Sequence, residues 1–386
     1  MRDRAKQQAG PGRKSAPPVP RAPFAGEFRT RGFLPEADPL TAFPAGSELA
    51  MLDELGRDLP SLLQDPGFRR YCTELALPVW PAHRNRAADV PELRLYYLRV
   101  GFLASAYINQ LGVERATVLP RNIAVPFAQA CARLQRPPIL SYDGYALYNW
   151  KRFRRDGPIT LGNLDTLQNF VHLYDEHWFI LVHVEIEAIA ARILDAIAQL
   201  HDALPAVDSG TLDAAFTNIA IAVREQVQVL RRIPEKMDPA LYHKTFRPYI
   251  RFFDNVRYEG VEQAPLYYRG ETGAQSSVIP ALVACMKIPH RTSVLTEHLA
   301  DLRNYMPAAH RDLLSSIAAM PDLRPQADKH AYNEVLKAMA EFREVHYGWA
   351  REYIERWTDD PRGTGGTPYM QWLKQLIDET RAAMIT

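Results

Sequence analysis

The sequence has few cysteines and no long apolar run. Only three cysteines, Cys72, Cys131 and Cys285, occur among 386 residues, and their spacing forms no metal-binding motif. This pattern excludes a disulfide scaffold and a zinc cluster and favours reduced thiols in a cytoplasmic protein. The most apolar stretch, residues 178–191, is interrupted by His and Glu side chains. It therefore falls short of the roughly 18 apolar residues that a membrane span requires.

Net charge and common catalytic motifs are also missing. Lys and Arg number 46 and Asp and Glu 45, for a formal charge of +1, so no excess of positive charge favours nucleic acid as a partner. No P-loop, H-E-x-x-H or Ser/His/Asp nucleophile motif supports a kinase or a hydrolase. Residues 1–30 are basic and rich in proline but lack the apolar segment of a secretory signal, and we predict a disordered tail there.

Apolar residues recur at helical spacing over most of the chain. Helices are predicted at 47–63 (with Pro60 as an interruption), 91–112, 176–204, 209–232, 238–251, 275–286, 294–303, 311–320, 326–357 and 369–383. A strand is predicted at 139–142, after a segment that prolines break into short elements. The predicted fold is mainly α: a small mixed α/β N-terminal domain (31–168) followed by a large all-helical domain (169–386).

An ionisable ring lies in the apolar stripe of the last long helix. His346 shares this stripe with Met339 and Tyr353, and Arg343 precedes it by about one turn. A lone histidine on an apolar face is most often a packed core residue. The pair of His346 and Arg343 nevertheless suits a haem, because the iron takes an axial imidazole and the acidic propionates take a cation.

Three other features are candidates for the same site. His183 interrupts the apolar run of a different helix, and two such histidines in one bundle would flank a planar cofactor. Arg247 lies among aromatic residues such as Tyr242 and Phe252, a setting that suits a bound carboxylate, although a stacked surface arginine is the alternative. The loop RGTGGT at 362–367 can expose backbone N–H groups, or it is a plain connector.

Seven segments in order resemble the indoleamine 2,3-dioxygenase family. They are VLPRNIAVPFAQ (118–129), RPPILSYDGYALYNWK (136–151), YEG (258–260), GAQSS (273–277), YMPAAHR (305–311), FREVH (342–346) and GTGGT (363–367). The resemblance extends from about residue 90 to the C-terminus. An ungapped comparison puts His183 where mammalian members have a distal serine, so the chain resembles a bacterial-type member with a distal histidine.

The resemblance implies a haem-dependent dioxygenase. Its reaction would insert O2 across the indole C2–C3 bond of L-tryptophan, or a close analogue, and give N-formylkynurenine. It implies haem b as cofactor and O2 as co-substrate, with His346 as the proximal iron ligand and Arg343, Thr272 and Gly273 as further haem contacts. The alternatives are a haem-dependent monooxygenase or tailoring enzyme acting on a tryptophan derivative, and a haem sensor without turnover.

The resemblance also assigns residues to the substrate. The catalytic residues would be His183, Arg247 and Thr364, and the substrate-binding residues Tyr142, Tyr145, Ala146, Phe179, Tyr242, Arg247, Ile250 and Thr364. Two departures stand out: Val283 replaces an acid of mammalian members, and Glu271 replaces a small glycine beside the pocket. The sequence leaves open whether the protein is a monomer or a homo-oligomer.

Overall fold

The computed structural model describes residues 24, 26–84, 86–204, 206–358, 362–364, 366 and 369–386. Within these ranges the protein is mainly α-helical, which confirms the predicted fold class. None of the described helices has the length and apolarity needed to cross a bilayer. The helices are α1 (Gly26–Arg31), α2 (Met51–Leu62), α3 (Phe68–Glu74), α4 (Val90–Asn109), α5 (Arg121–Arg133), α6 (Tyr174–Asp202), α7 (Ser209–Leu230), α8 (Pro239–Leu241), α9 (Val278–Cys285), α10 (Val294–Arg303), α11 (Ala308–Ala319), α12 (Lys329–Tyr353) and α13 (Tyr369–Ala382).

Short strands link the two halves of the chain. They are β1 (Val118–Leu119), β2 (Lys151–Arg152), β3 (Leu164–Asp165), β4 (Phe253–Tyr258) and β5 (Leu266–Tyr268). Strand β4 pairs in parallel with β1 and antiparallel with β5, while β2 and β3 form an antiparallel pair. The segment after residue 169 therefore has β4 and β5 as its strands and is otherwise built on helices. Strand β4 pairs with β1 from the first half of the chain.

The first part of the chain departs from the prediction at its very start. Residues 1–23 and 25 of the predicted tail lie outside the described residues, but α1 already begins at Gly26. Phe28 in α1 is buried, and Arg29 donates to Asp195 of α6 at 2.7 Å. These contacts account for order before residue 30, which the sequence composition did not indicate.

The predicted strand at 139–142 is wrong. Its polar backbone groups bond to side chains rather than to another strand: the Tyr97 hydroxyl donates to the Ile139 carbonyl at 3.0 Å and accepts from the Ser141 N–H at 3.0 Å. The N–H of Tyr142 donates to the side chain of Gln275 at 2.9 Å. A buried π-helical turn, Asp143–Leu147, follows at once.

The helix predicted at 238–251 is also broken into turns. Helix α8 is followed by a π-helical turn, Tyr242–Phe246, and a 3-10 turn, Arg247–Ile250. Pro248 has no N–H to donate, so it favours a short turn over a continuing helix. Single π turns are frequent at functional sites, and this one positions Tyr242 beside Arg247.

Two long helices begin at carboxylate caps. Helix α12, which carries His346, begins at the side chain of Asp328, which accepts from the Ala331 N–H at 2.9 Å. Helix α7 is capped in the same way by Asp208, which directly precedes the predicted helix start at residue 209, with the Thr211 N–H as donor at 2.9 Å. Carboxylate caps satisfy free N–H groups at a helix start. The residue at which each of these helices begins is therefore determined by its own local sequence.

Helix α6 contributes to more than one core cluster. Ile180 and Leu181 pack in the cluster around α4, whereas Ile193 and Ile197 pack with α7, α9, α11 and α12. Side-chain bonds tie these helices together: Gln226 of α7 donates to the Ile186 carbonyl of α6 at 2.8 Å. The division into domains at residues 168 and 169 stays a prediction.

Candidate functional site

Two adjoining chambers lie between α6 and α12. The Arg343 chamber is lined by Arg343 and measures about 1180 Å³, and the Tyr242 chamber is lined by Tyr242 and measures about 1150 Å³, each including the solvent at its mouth. Both chambers share His183, His346 and Gly273 in their walls. The two histidines that the sequence placed in separate helices therefore both line each of the two chambers.

His346 presents its ring to this space. The residue is accessible, yet protein surrounds it so closely that burial, assisted by repulsion from His183, lowers its pKa to about 4. His346 is both accessible and closely surrounded by protein because its accessible surface faces the cavity. Neither ring nitrogen of His346 has a hydrogen-bond partner among the described residues. A neutral, unpartnered imidazole in a cavity wall is chemically suited to ligate a metal ion.

His183 has a defined tautomer. Its Nδ1 lies 2.7 Å from the carbonyl oxygen of Phe179. A carbonyl only accepts hydrogen bonds, so Nδ1 carries the proton and Nε2 is left as an acceptor. Burial lowers the pKa of His183, which keeps the ring neutral. The Phe179 and Tyr142 rings pack against it, with centroids at 4.6 and 5.8 Å.

The Arg343 chamber has a cationic end. Arg343 is buried, and its Nη1 donates to the Leu376 carbonyl at 2.5 Å and to the Thr380 hydroxyl of α13. His290 and Arg303 line the same chamber. Val283 also lines it, so the acid that mammalian members were expected to carry here is replaced by an apolar wall. The arrangement suits acidic groups of a ligand.

The Tyr242 chamber contains several of the predicted site residues. Tyr242, Phe179 and Thr364 line it, and so do Thr272 and Gly273. The carbonyl of Thr364 accepts from the N–H of Phe252 at 2.9 Å, which fixes this part of the loop against the strand region. Residues 365 and 367 of the glycine-rich loop lie outside the described residues.

Arg247 is buried next to Tyr242 and has bonding capacity left over. It is 5% exposed, and its Nε and Nη2 atoms have no hydrogen-bond partner among the residues described. Burial raises the pKa of Tyr242 to about 12, and the neighbouring Arg247 opposes that shift. Arg247 is not among the wall residues of either chamber. Buried N–H groups without an acceptor are costly, and an anionic ligand group would satisfy Nε and Nη2 of Arg247.

Other predicted substrate residues lie in different surroundings. Tyr142 lines the Arg343 chamber, and its hydroxyl donates to Glu187 at 2.8 Å. Tyr145, Ala146 and Ile250 are buried but line neither chamber. The π turn from Asp143 to Leu147 directs Tyr145 toward α6, where its hydroxyl donates to Glu176 at 3.0 Å. Their assignment to the substrate stays a prediction.

Sequence reasoning missed several polar residues of the site. Ser276 lines the Arg343 chamber and donates to Glu187 at 2.5 Å. His290 lines the same chamber, and its Nδ1 lies 2.5 Å from Glu379. Each of these contacts joins residues 89 positions apart. No local pattern signals such a pair, although the glutamates inside the apolar run of α6 were visible.

Glu176 makes the pH dependence of stability testable. Burial raises its pKa from 4.5 to about 8, against the hydrogen bonds it accepts from Val171, Tyr145 and Phe170. Such a carboxyl stays protonated in the folded protein over a pH range in which it is already ionised in the unfolded chain. Its contribution to stability is complete below the unfolded-state pKa and is lost as the pH rises through the folded-state pKa. From about pH 5 to 8, the free energy of unfolding of wild type should therefore fall relative to that of Glu176→Gln.

Urea unfolding of both proteins across that range measures the difference. The exposed Glu74→Gln serves as the matched control, and its curve should run parallel to that of wild type. Parallel curves for Glu176→Gln as well would contradict an uncharged Glu176 in the folded protein.

Comparison with known proteins connects this geometry to a family. A family model described as "Indoleamine 2,3-dioxygenase" matches residues 27–357. Indoleamine 2,3-dioxygenase 1 of Rattus norvegicus is 30% identical over 365 residues, covering 86% of this chain and 88% of the relative. Indoleamine 2,3-dioxygenase 2 of Homo sapiens is 30% identical over 326 residues, covering 76% and 80%. A protein named myoglobin, from Haliotis madaka, is 25% identical over 352 residues, covering 85% and 90%.

The chain belongs to the indoleamine 2,3-dioxygenase family, as its seven sequence segments predicted. It is an oxidoreductase of the indoleamine 2,3-dioxygenase type. The match begins near residue 27, earlier than the sequence segments indicated, and it ends before the glycine-rich loop at 362–367.

The residues of the two chambers fit a haem. A haem needs an axial ligand, a cation for its propionates and apolar walls. His346 supplies an unpartnered imidazole, and the Arg343 chamber supplies the cation. Leu230, Leu299 and Leu373 line both chambers and supply apolar surface between the histidines.

Proposed function

We propose that this protein converts L-tryptophan to N-formylkynurenine by inserting both atoms of O2 across the indole C2–C3 bond. The observation that carries the proposal is the accessible, unpartnered ring of His346 in a cavity that also holds His183. When bound, haem b supplies the iron at which O2 is activated. The protein binds and orients the substrate and excludes water, which together lower the barrier.

His346 would ligate the iron, and Arg343 would pair with a propionate. A neutral imidazole on α12 and a guanidinium one turn earlier match these two needs. Arg303 also lines the Arg343 chamber and would bring further positive charge to the propionates. Thr272 and Gly273 would border the haem edge; a Cβ built at Gly273 meets nothing within 4 Å, so the backbone there stands open to a ligand.

Arg247 would hold the carboxylate of L-tryptophan. Its two unpartnered nitrogens form the planar fork that matches a carboxylate. Tyr242 lines the chamber and is a neighbour of Arg247, so the carboxylate would be held beside its ring. Phe179 and Tyr242, whose ring centroids are 5.5 Å apart, would contact the indole, and Thr364 would contact the backbone groups of the amino acid.

His183 would accept a hydrogen bond from the indole N–H. Its Nε2 is the acceptor because Nδ1 is committed to the Phe179 carbonyl. The same tautomer cannot donate from Nε2, so the indole N–H is a better partner for it than an oxygen atom that only accepts.

Replacing His183 by serine tests that role. A hydrogen bond between neutral groups contributes about 0.5–1.5 kcal/mol, so KM for L-tryptophan should rise about 2- to 12-fold. For 1-methyl-tryptophan, which has no indole N–H, the KM ratio between variant and wild type should stay near unity. Equal effects on both substrates would show that the loss is steric rather than a lost hydrogen bond.

A second candidate is a haem protein that binds O2 without turnover. The similarity to a protein named myoglobin favours it. The two buried nitrogens of Arg247 without partners among the described residues argue against it, since an O2 carrier has no use for a carboxylate site. A monooxygenase acting on a tryptophan derivative is the remaining alternative.

Oxygen counting separates the three candidates. The reduced, haem-loaded protein is mixed with L-tryptophan and ¹⁸O₂, and the mass of the product is measured by mass spectrometry. A dioxygenase adds two labelled atoms, a monooxygenase adds one, and a carrier or sensor adds none. Two labelled atoms in N-formylkynurenine are the expected result, and either other outcome overturns the proposal.

We also propose a cytoplasmic location. Cys72, Cys131 and Cys285 are buried and unpaired, and burial raises the pKa of each thiol to about 12. Unpaired, unreactive thiols are typical of a reducing compartment.

A further inference from the structure

The carboxyl group of Glu271 is an unexplained feature of the Tyr242 chamber. The residue is 2% exposed and lines the chamber. Its side chain has no hydrogen-bond or ion-pair partner among the described residues. Buried carboxyls are normally paired or hydrogen-bonded. The Glu271 carboxyl is therefore available to bind a polar group of a ligand.

The backbone holds Glu271 firmly in place. Its N–H donates to the carbonyl of Ile250 at 3.0 Å. The preceding Gly270 packs closely against the backbone of residues 250–252. An added Cβ at this position would meet the Ile250 carbonyl oxygen at 2.4 Å. On the other side, Thr272 caps the 3-10 turn Gly273–Gln275. The carboxyl is thus positioned by rigid neighbours, as a recognition group must be.

Among the described residues, no cation neutralises Glu271. Burial raises its pKa to about 8. The titratable groups that respond to it are the phenols of Tyr142, Tyr145 and Tyr242, and Glu271 contributes to the raised pKa of each. An opposite charge close to a buried carboxyl favours its ionised form. A cationic ligand group would therefore restore the charge of Glu271 and be attracted by it.

Tyr242, a wall residue of the same chamber, lies next to the group proposed to bind a carboxylate. Tyr242 is a neighbour of both Arg247 and Glu271, since both influence the pKa of its phenol. Two complementary groups thus lie near one aromatic ring: Arg247 has a free cationic fork and Glu271 a free acidic group. An α-amino acid carries the two complementary charges, a carboxylate and an ammonium, on groups attached to the same carbon atom.

We propose that Glu271 binds the α-ammonium group of the substrate and so selects indole amino acids over indole acids that lack the amine. The inference rests on the proposed function, because it takes the Tyr242 chamber as the substrate site. Glu271 acts here as a specificity residue. Its role adds to that of Arg247, which would bind either kind of acid.

Binding of two ligands tests the inference. L-Tryptophan has the ammonium group, and indole-3-propionate has the same ring and carboxylate without it. Their dissociation constants for the haem-loaded protein are measured by equilibrium dialysis for wild type, Glu271→Gln, Glu271→Asp and the exposed control Glu297→Gln. Hydrogen bonds to charged groups are worth about 10- to 100-fold in affinity, so wild type and Glu297→Gln should prefer L-tryptophan by about that factor.

Glu271→Gln should lose most of this preference by weakening L-tryptophan binding, with indole-3-propionate unchanged or tighter. Glu271→Asp keeps the charge and should keep part of the preference, which provides a second readout if the Gln variant does not fold. An equal preference in wild type and Glu271→Gln would overturn the inference, and so would a wild type that binds both ligands equally. Failure of the proposed function is distinct, because it appears in the oxygen count of wild type and leaves these binding ratios measurable.

Discussion

Replacing His346 by alanine is expected to abolish haem binding. The ring faces the cavity and has no partner of its own among the described residues, so its loss would remove the proposed axial ligand without breaking another hydrogen bond. The absorption spectrum of the purified variant, grown with added haem precursor, should lack the Soret band of wild type. The effect should exceed that of any other single replacement in the Arg343 chamber, because coordination bonds exceed the remaining contacts in strength.

Two further variants make this result specific. His330→Ala removes an exposed histidine from the same helix, and it should bind haem as wild type does. His183→Ala should also retain haem, since His183 is assigned to the substrate side. Loss of the Soret band in His183→Ala with retention in His346→Ala would reverse the assignment of the two faces. In a further variant, His346→Gly, the missing side chain leaves space for a small ligand. Addition of free imidazole to this variant should restore haem binding.

Replacing Arg247 by alanine is expected to raise KM for L-tryptophan strongly. Removing one partner of a buried charge pair costs about 2–4 kcal/mol, which corresponds to roughly 30- to 1,000-fold in kcat/KM. The guanidinium has two nitrogens without partners among the described residues, so the replacement removes little that stabilises the free protein. Steady-state kinetics of the haem-loaded variant measure the effect.

Matched controls separate a carboxylate contact from general damage. Tryptamine lacks the carboxylate, so its dissociation constant should be nearly the same for wild type and Arg247→Ala. The exposed Arg70→Ala should leave the kinetics with L-tryptophan unchanged. An unchanged KM in Arg247→Ala, or equal losses for L-tryptophan and tryptamine, would contradict the assignment of Arg247 to the carboxylate.

Much of the fold was predictable because it depends on local patterns. Helical spacing of apolar residues located α6, α7 and α12 within a few residues, and it placed His346 and Arg343 one turn apart. Resemblance to the family then joined distant segments that periodicity alone leaves separate. What local patterns cannot encode are contacts between remote residues, such as the pairing of β1 with β4.

The errors have the same physical origin. Residues 139–142 have the composition of a strand, but the side chains of Tyr97 and Gln275 bond their backbone first. The stretch 238–251 has helical spacing, but it forms π and 3-10 turns around Pro248. In both cases the surrounding structure overrides the local preference.

We propose that His346 ligates a haem iron in the cavity whose walls it shares with His183. A crystal structure of the haem-loaded protein, with iron located by anomalous scattering, measures this directly. We expect the iron peak between α6 and α12, at coordination distance from a ring nitrogen of His346. Iron bound elsewhere, or a His346 ring packed against hydrocarbon in the loaded protein, would contradict the account.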